Sequence, residues 1–136
     1  MTTPTALIII DMQKGMQSST LPPRNNPQAE DNIARLLTAW REEGQPVVCV
    51  RHISRSPSSV FAPGQSGAEF QACFTPLAHE HVVEKNVPDA AFTFDKEDFG
   101  GTLRSAKDVY LMALANLHGE YAEVRSTDQV LRTSIL

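Results

Sequence analysis

Two cysteines in 136 residues are too few for a disulfide framework. Cys49, inside a strand-like run, and Cys73, in a mixed segment, show no metal-ligand spacing, so both are expected as reduced thiols. No apolar stretch approaches the ~20 residues needed to cross a bilayer. The amino terminus also lacks the basic-then-apolar plan of a secretory signal. These absences point to a cytoplasmic protein with no membrane partner. Positive charge is scarce, with 12 Lys and Arg against 16 Asp and Glu and a net charge of -4. Without clustered Lys and Arg there is no surface to hold a phosphate backbone, so nucleic acid is excluded as a partner. There are no internal repeats and no low-complexity tracts. A chain of this length with 41% apolar residues reads as a single domain over residues 1–136, with a core of modest size.

What is present begins with Ala6-Leu7-Ile8-Ile9-Ile10, an apolar run that breaks off at Asp11 and continues as Met12-Gln13. Short β-branched runs of this kind are buried parallel strands, and in open α/β sheets the chemistry sits outside the carboxyl ends of such strands. Asp11 therefore stands where a catalytic carboxylate would, although an aspartate that caps a turn occupies the same kind of position. Residues 17–27 have loop composition. Asn26 then offers a helix N-cap with Pro27 in the first turn, and Ile33, Leu36, Leu37 and Trp40 recur at helical spacing until Gly44. That amphipathic stripe packs on a sheet, with Trp40 as a packing residue.

Val47-Val48-Cys49-Val50 is a second buried strand ending at Arg51-His52, which completes a βαβ unit. Asp11 and His52 should emerge along one edge. Residues 54–67 form a long Ser, Pro and Gly-rich loop of the sort that lines a site. His81-Val82-Val83-Glu84 leads into Lys85, which holds the place on its strand that Asp11 holds on the first; a solvated strand end is the plain alternative. Residues 86–102 read as loop. Ser105 with Asp108 resembles a capping box, opening a helix that ends at His118-Gly119. Tyr121-Ala122-Glu123-Val124 reads as a last short strand, followed by Thr127-Asp128 and an apolar tail.

Taken in order, Ala6 to Gln13, then Pro46-Val47-Val48-Cys49-Val50-Arg51-His52, then Val82-Val83-Glu84-Lys85 with Ala91-Phe92, resemble the isochorismatase-like hydrolase family. The stretch from Asp108 to Val124, with Leu111-Met112-Ala113-Leu114-Ala115-Asn116-Leu117-His118-Gly119-Glu120-Tyr121-Ala122-Glu123-Val124 at its end, is similar to the carboxy-terminal helix and strand of its cysteine-hydrolase branch. The resemblance implies a three-layer α/β/α Rossmann-like fold and cleavage of small amides or of an ether. It places two members of that branch's Cys, Asp and Lys triad on Asp11 and Lys85. It implies Gln13, His52 and Phe92 as substrate-binding residues. A lysine beside a thiolate stabilises the anion while a carboxylate shuttles a proton.

The nucleophile has no counterpart. In the family it opens a helix after a fourth strand, whereas this chain runs from Ala91-Phe92 almost directly to Thr93-Phe94-Asp95, which resembles the segment after the fifth strand. A central block is absent, leaving a shortened parallel sheet of about four strands. Cys49 lies three residues before His52, about 10 Å below the sheet edge at strand rise, and is expected in the core; Cys73 lacks the local plan of an activated thiol. His52, His79 and His81 form no recognised ligand set, so no metal and no cofactor are expected. Losing the strand beside the first leaves an apolar edge open, which is either filled by the final strand or by a second chain in a homodimer or swapped oligomer. The expected function is an isochorismatase-like hydrolase acting on a small C–N or ether substrate. The alternative is a non-catalytic ligand-binding or self-associating protein on the same scaffold.

Overall fold

The computed structural model describes residues 4–86, 93–119 and 122–134. Phe92, tied by resemblance to substrate binding, lies outside the described residues. Strands β1 (Leu7–Ile10), β2 (Val47–His52) and β3 (His81–Lys85) form a parallel sheet in the order β1-β2-β3. Its register pairs Ile10 with Val50 and His52 with Lys85, so the three strands end at one edge. Helix α1 (Ala29–Glu42) makes the crossover between β1 and β2. The fold is the expected α/β class with a shortened sheet.

Helix α1 (Ala29–Glu42) begins two residues later than an Asn26 cap anticipates. Asn26 adopts a left-handed conformation, φ 52, and its carbonyl accepts from Ala29 N at 3.0 Å, so residues 26–28 turn ahead of the helix. Glu30 and Asp31 in the first turn and Arg41 in the last complement the helix dipole. One face of α1 drives Leu37 and Trp40 against Ile9, Val47 and Cys49 of the sheet, with Met12, Met16 and Phe74 completing the core. Trp40 is buried as a packing residue, and its indole donates to the Thr5 carbonyl at 2.8 Å, which satisfies its one polar atom.

Strand alternation puts Ile8, Ile10, Val48, Val50 and Val83 on the opposite face. There Ile8 is 58% exposed and Val83 47%. β1 is an edge strand, and among the described residues no strand lies beyond it. Of the last strand expected over residues 121–124, Tyr121 lies outside the described residues; Ala122 forms an isolated bridge with His118, and Val124 N donates to His118 Nδ1 at 3.1 Å.

Two short strands, β4 (Lys96–Glu97) and β5 (Leu103–Arg104), form an antiparallel hairpin in a stretch read from sequence as loop. Asp98 organises it: Oδ1 accepts from Gly100 N and Thr102 N at 3.0 Å. Such Asx-type turns depend on side-chain geometry that composition does not display. Helix α2 (Ala106–Leu117) forms as its capping signal predicts, Ser105 Oγ accepting from Asp108 N at 3.1 Å. Its Leu111, Met112 and Leu117 are exposed. Thr127-Asp128 and the residues after them as far as Ser134 form helix α3 (Thr127–Ser134), tied to α1 by Arg35 and Asp128 at 2.7 Å. Among the described residues no helix is long and apolar enough to cross a membrane.

Candidate active site

The ladder between β1 and β2 ends with Asp11 N donating to Val50 O at 2.9 Å. Asp11 then leaves the strand with φ 60, the left-handed region that aspartate tolerates better than most side chains. Gln13 N donates to Asp11 O at 2.8 Å and closes the turn. At the far side of β2, Lys85 ends β3, and its carbonyl accepts from Ile53 N at 2.8 Å, so pairing continues past the named strands. The two side chains meet across the end of β2: Lys85 Nζ lies 3.0 Å from Asp11 Oδ2. Asp11 is 2% exposed and the Lys85 side chain 12%, so the pair acts in a medium where charge interacts strongly.

Gln13 is fully buried and braces this edge. Its Oε1 accepts from His52 N at 2.7 Å, while Nε2 donates to the carbonyls of His52 and Ala68, both at 2.9 Å. Both ends of its amide are bound to main chain. His52 pairs in register with Lys85, so the two side chains share a face. Its ring meets Phe61 edge-on, centroids 5.9 Å apart, and its buried Nδ1 has no hydrogen-bond partner among the described residues. His79 and His81 are exposed; His81 opens β3, about 13 Å from Lys85 at strand rise. Among the described residues no three His, Cys, Asp or Glu side chains gather as a metal would require.

The long loop is pressed onto the edge. A Cβ on Gly67 would lie 2.2 Å from Val60 O, and one on Gly15 would lie 2.5 Å from the Phe61 ring, so neither position admits a side chain without displacing backbone or ring. Beside the strand ends the loop encloses an open cavity of about 750 Å3, lined by Ile53, Arg55, Pro57, Ala62, Glu84 and Lys85 among others. Arg55 was not singled out from sequence, although it lies in the loop expected to line the site; nothing local distinguishes it from a solvated arginine.

Neither cysteine belongs to this lining. Cys49 is fully buried in the core, and burial foremost, with the nearby Glu80 charge, pushes its thiol up, the reverse of nucleophile activation. Cys73 is exposed on the turn Ala72–Phe74.

The isochorismatase domain model matches residues 5–115. The chain is 26% identical to the isochorismatase family protein YrdC of Bacillus subtilis (strain 168), over an alignment covering 96% of each chain. That alignment runs to 179 positions, so upwards of forty positions have no counterpart in the 136 residues here. An isochorismatase-family structure from Chromobacterium violaceum ATCC 12472 superposes with a TM-score of 0.85 at 30% identity, covering 97% of each chain. A cysteine hydrolase from Pseudomonas syringae pv. phaseolicola 1448A shares the fold, with a TM-score of 0.77 at 20% identity over 93% of this chain and 90% of that one. Matched by the domain model over most of its length and superposing closely on a solved member, the chain belongs to the isochorismatase family.

Proposed function

We propose that this protein is a cytoplasmic hydrolase of small C–N or ether substrates, with Asp11 as general acid/base and Lys85 as its electrostatic partner. The observation that carries the reading is the 3.0 Å contact between Lys85 Nζ and Asp11 Oδ2, with Asp11 buried and Lys85 in the lining of the strand-end cavity. On an amide, the Asp11 carboxylate takes a proton from water as the water oxygen bonds to the carbonyl carbon. The Lys85 ammonium offsets the oxyanion that develops, and Asp11 returns the proton to the nitrogen as the C–N bond breaks. On a vinyl ether the proton moves first: protonated Asp11 donates to the terminal vinyl carbon, water adds to the resulting oxocarbenium ion and gives its proton back to Asp11, and the hemiketal collapses with cleavage of the C–O bond to a carbonyl compound and an alcohol. Neither route uses a thiol or a metal.

A second reading, a small-ligand binder without turnover, is favoured by one observation: the buried Cys49 and exposed Cys73 leave the Asp–Lys pair without the family's nucleophile. A panel of small amides and isochorismate, tested on the wild type and on Asp11→Asn, separates the two. The hydrolase reading expects turnover that falls about 10²- to 10⁴-fold in the variant. Ligand-induced stabilisation with no turnover above background establishes the binder instead.

We also propose that the chain self-associates as a homodimer or swapped oligomer across the outer edge of β1. Support comes from the edge position of β1 and the exposure of Ile8 beside it, since an uncovered apolar edge is a template for pairing.

A further inference from the structure

We propose that Arg55 is the specificity residue of the strand-end cavity and that the molecule bound there carries a carboxylate. The inference rests on reading that cavity as the substrate site. Three charged side chains line it, Arg55, Glu84 and Lys85, and two of them are already matched. Lys85 is held by Asp11 at 3.0 Å, and Glu84 accepts from Arg51 Nε at 3.0 Å. Arg55 has no carboxylate partner among the described residues. With the Asn86 amide oxygen turned toward it, its Nε and Nη2 donate at 3.2 and 2.8 Å. Across Asp11, Arg51, Arg55, Glu84 and Lys85 one positive charge is left over, and it sits in the wall of a cavity whose uncharged lining is the apolar Ile53, Pro57, Ala62 and Pro63 together with the polar Ser54, Gln65 and Asn86.

The geometry suits an anion of a particular shape. Asn86 is neutral, so it orients the guanidinium without cancelling its charge, and it occupies only two of five N–H donors. The three that remain include the pair at the outer end of the fork, which matches the two oxygens of a carboxylate. The apolar walls accept a short carbon chain, and Lys85 in the same lining marks where the reacting group would lie. The ligand is thus a small acid whose amide or ether reaches the Asp11–Lys85 pair while its carboxylate is anchored at Arg55.

The test is an NMR titration of the full chain with succinate and with its neutral counterpart succinamide, on the wild type, Arg55→Ala and Arg55→Lys. Matching melting temperatures establish that all three fold, which an exposed loop position should permit. Succinate should bind the wild type about tenfold or more tighter than succinamide, with Arg55→Ala abolishing the difference and Arg55→Lys retaining part of it. Added salt should weaken succinate alone. Equal binding of the two probes, an unchanged preference in Arg55→Ala, or no saturable binding of either overturns the proposal. Failure of the hydrolase reading looks different: turnover is absent while the succinate preference persists.

Discussion

Gln13 and His52 are joined twice, the Gln13 amide accepting from the His52 N–H at 2.7 Å and donating to the His52 carbonyl at 2.9 Å. This is the contact a neighbouring strand would make, supplied by a side chain, and it locks the ends of β1 and β2 in register just below the Asp11–Lys85 pair. Gln13→Ala should therefore leave buried main-chain groups without partners and lower stability by about 2–4 kcal/mol. Urea unfolding checks this, and a cost below about 1 kcal/mol would remove the bracing role.

The left-handed turn at Asp11, φ 60, and its ion pair with Lys85 make separable demands. Asp11→Asn keeps the tolerated backbone but removes the carboxylate that faces the Lys85 ammonium at 3.0 Å, and should destabilise by about 3–5 kcal/mol. Adding Lys85→Met to Asp11→Asn should recover a substantial part of that loss, because the buried ammonium goes with it. A double variant no more stable than the single one would mean that the pair is not electrostatically coupled in the folded state.

Glu80, its side chain 1% exposed, is bonded by Arg41 at 2.8 Å. That hydrogen bond foremost, together with the Leu77 N–H, holds its carboxyl below the ordinary value of 4.5. The unfolded chain thus takes up the proton at higher pH than the folded one. The stabilisation is complete above about pH 4.5 and is lost as pH falls through the depressed folded value. Glu80→Gln should flatten this acid limb in denaturation midpoints measured from pH 6 to pH 3; an unchanged limb would exclude the contact as its source.

The two thiols should behave oppositely. Native protein should react with iodoacetamide at the exposed Cys73 and react at Cys49 only after unfolding, since burial pushes that thiol up. Cys73→Ser should leave any turnover within about twofold of wild type, because the proposed water attack needs no thiol. A loss of a hundredfold would show that Cys73 is the nucleophile and overturn the mechanism.

Self-association has its own probe at Ile8, 58% exposed on the edge strand. Ile8→Lys places a charge where a second chain would pair. Sedimentation should shift the protein from oligomer to monomer, with little change in the unfolding of the monomer itself. A wild type that sediments as a monomer at every concentration would dispose of the proposal.

The sequence by itself determined the three parallel strands, the crossover helix and the capped helix α2, because each is written in local signals. The β-branched runs end at Asp11, His52 and Lys85, a 3.6-residue stripe carries Leu37 and Trp40, and Ser105 stands three residues before Asp108. The same patterns, with the family resemblance, singled out Asp11 and Lys85 as members of one site and left both cysteines out of it. Tertiary structure decided what depends on contacts between distant segments. It set the 3.0 Å meeting of those side chains across β2 and committed the Gln13 amide to main chain. It left β1 with no strand on its outer edge among the described residues and placed Arg55 in a cavity wall beside the neutral Asn86 amide. Hydrogen bonds and ion pairs spanning 39 to 74 residues leave no periodic trace in a chain, since their geometry exists only once the backbone has brought their ends together.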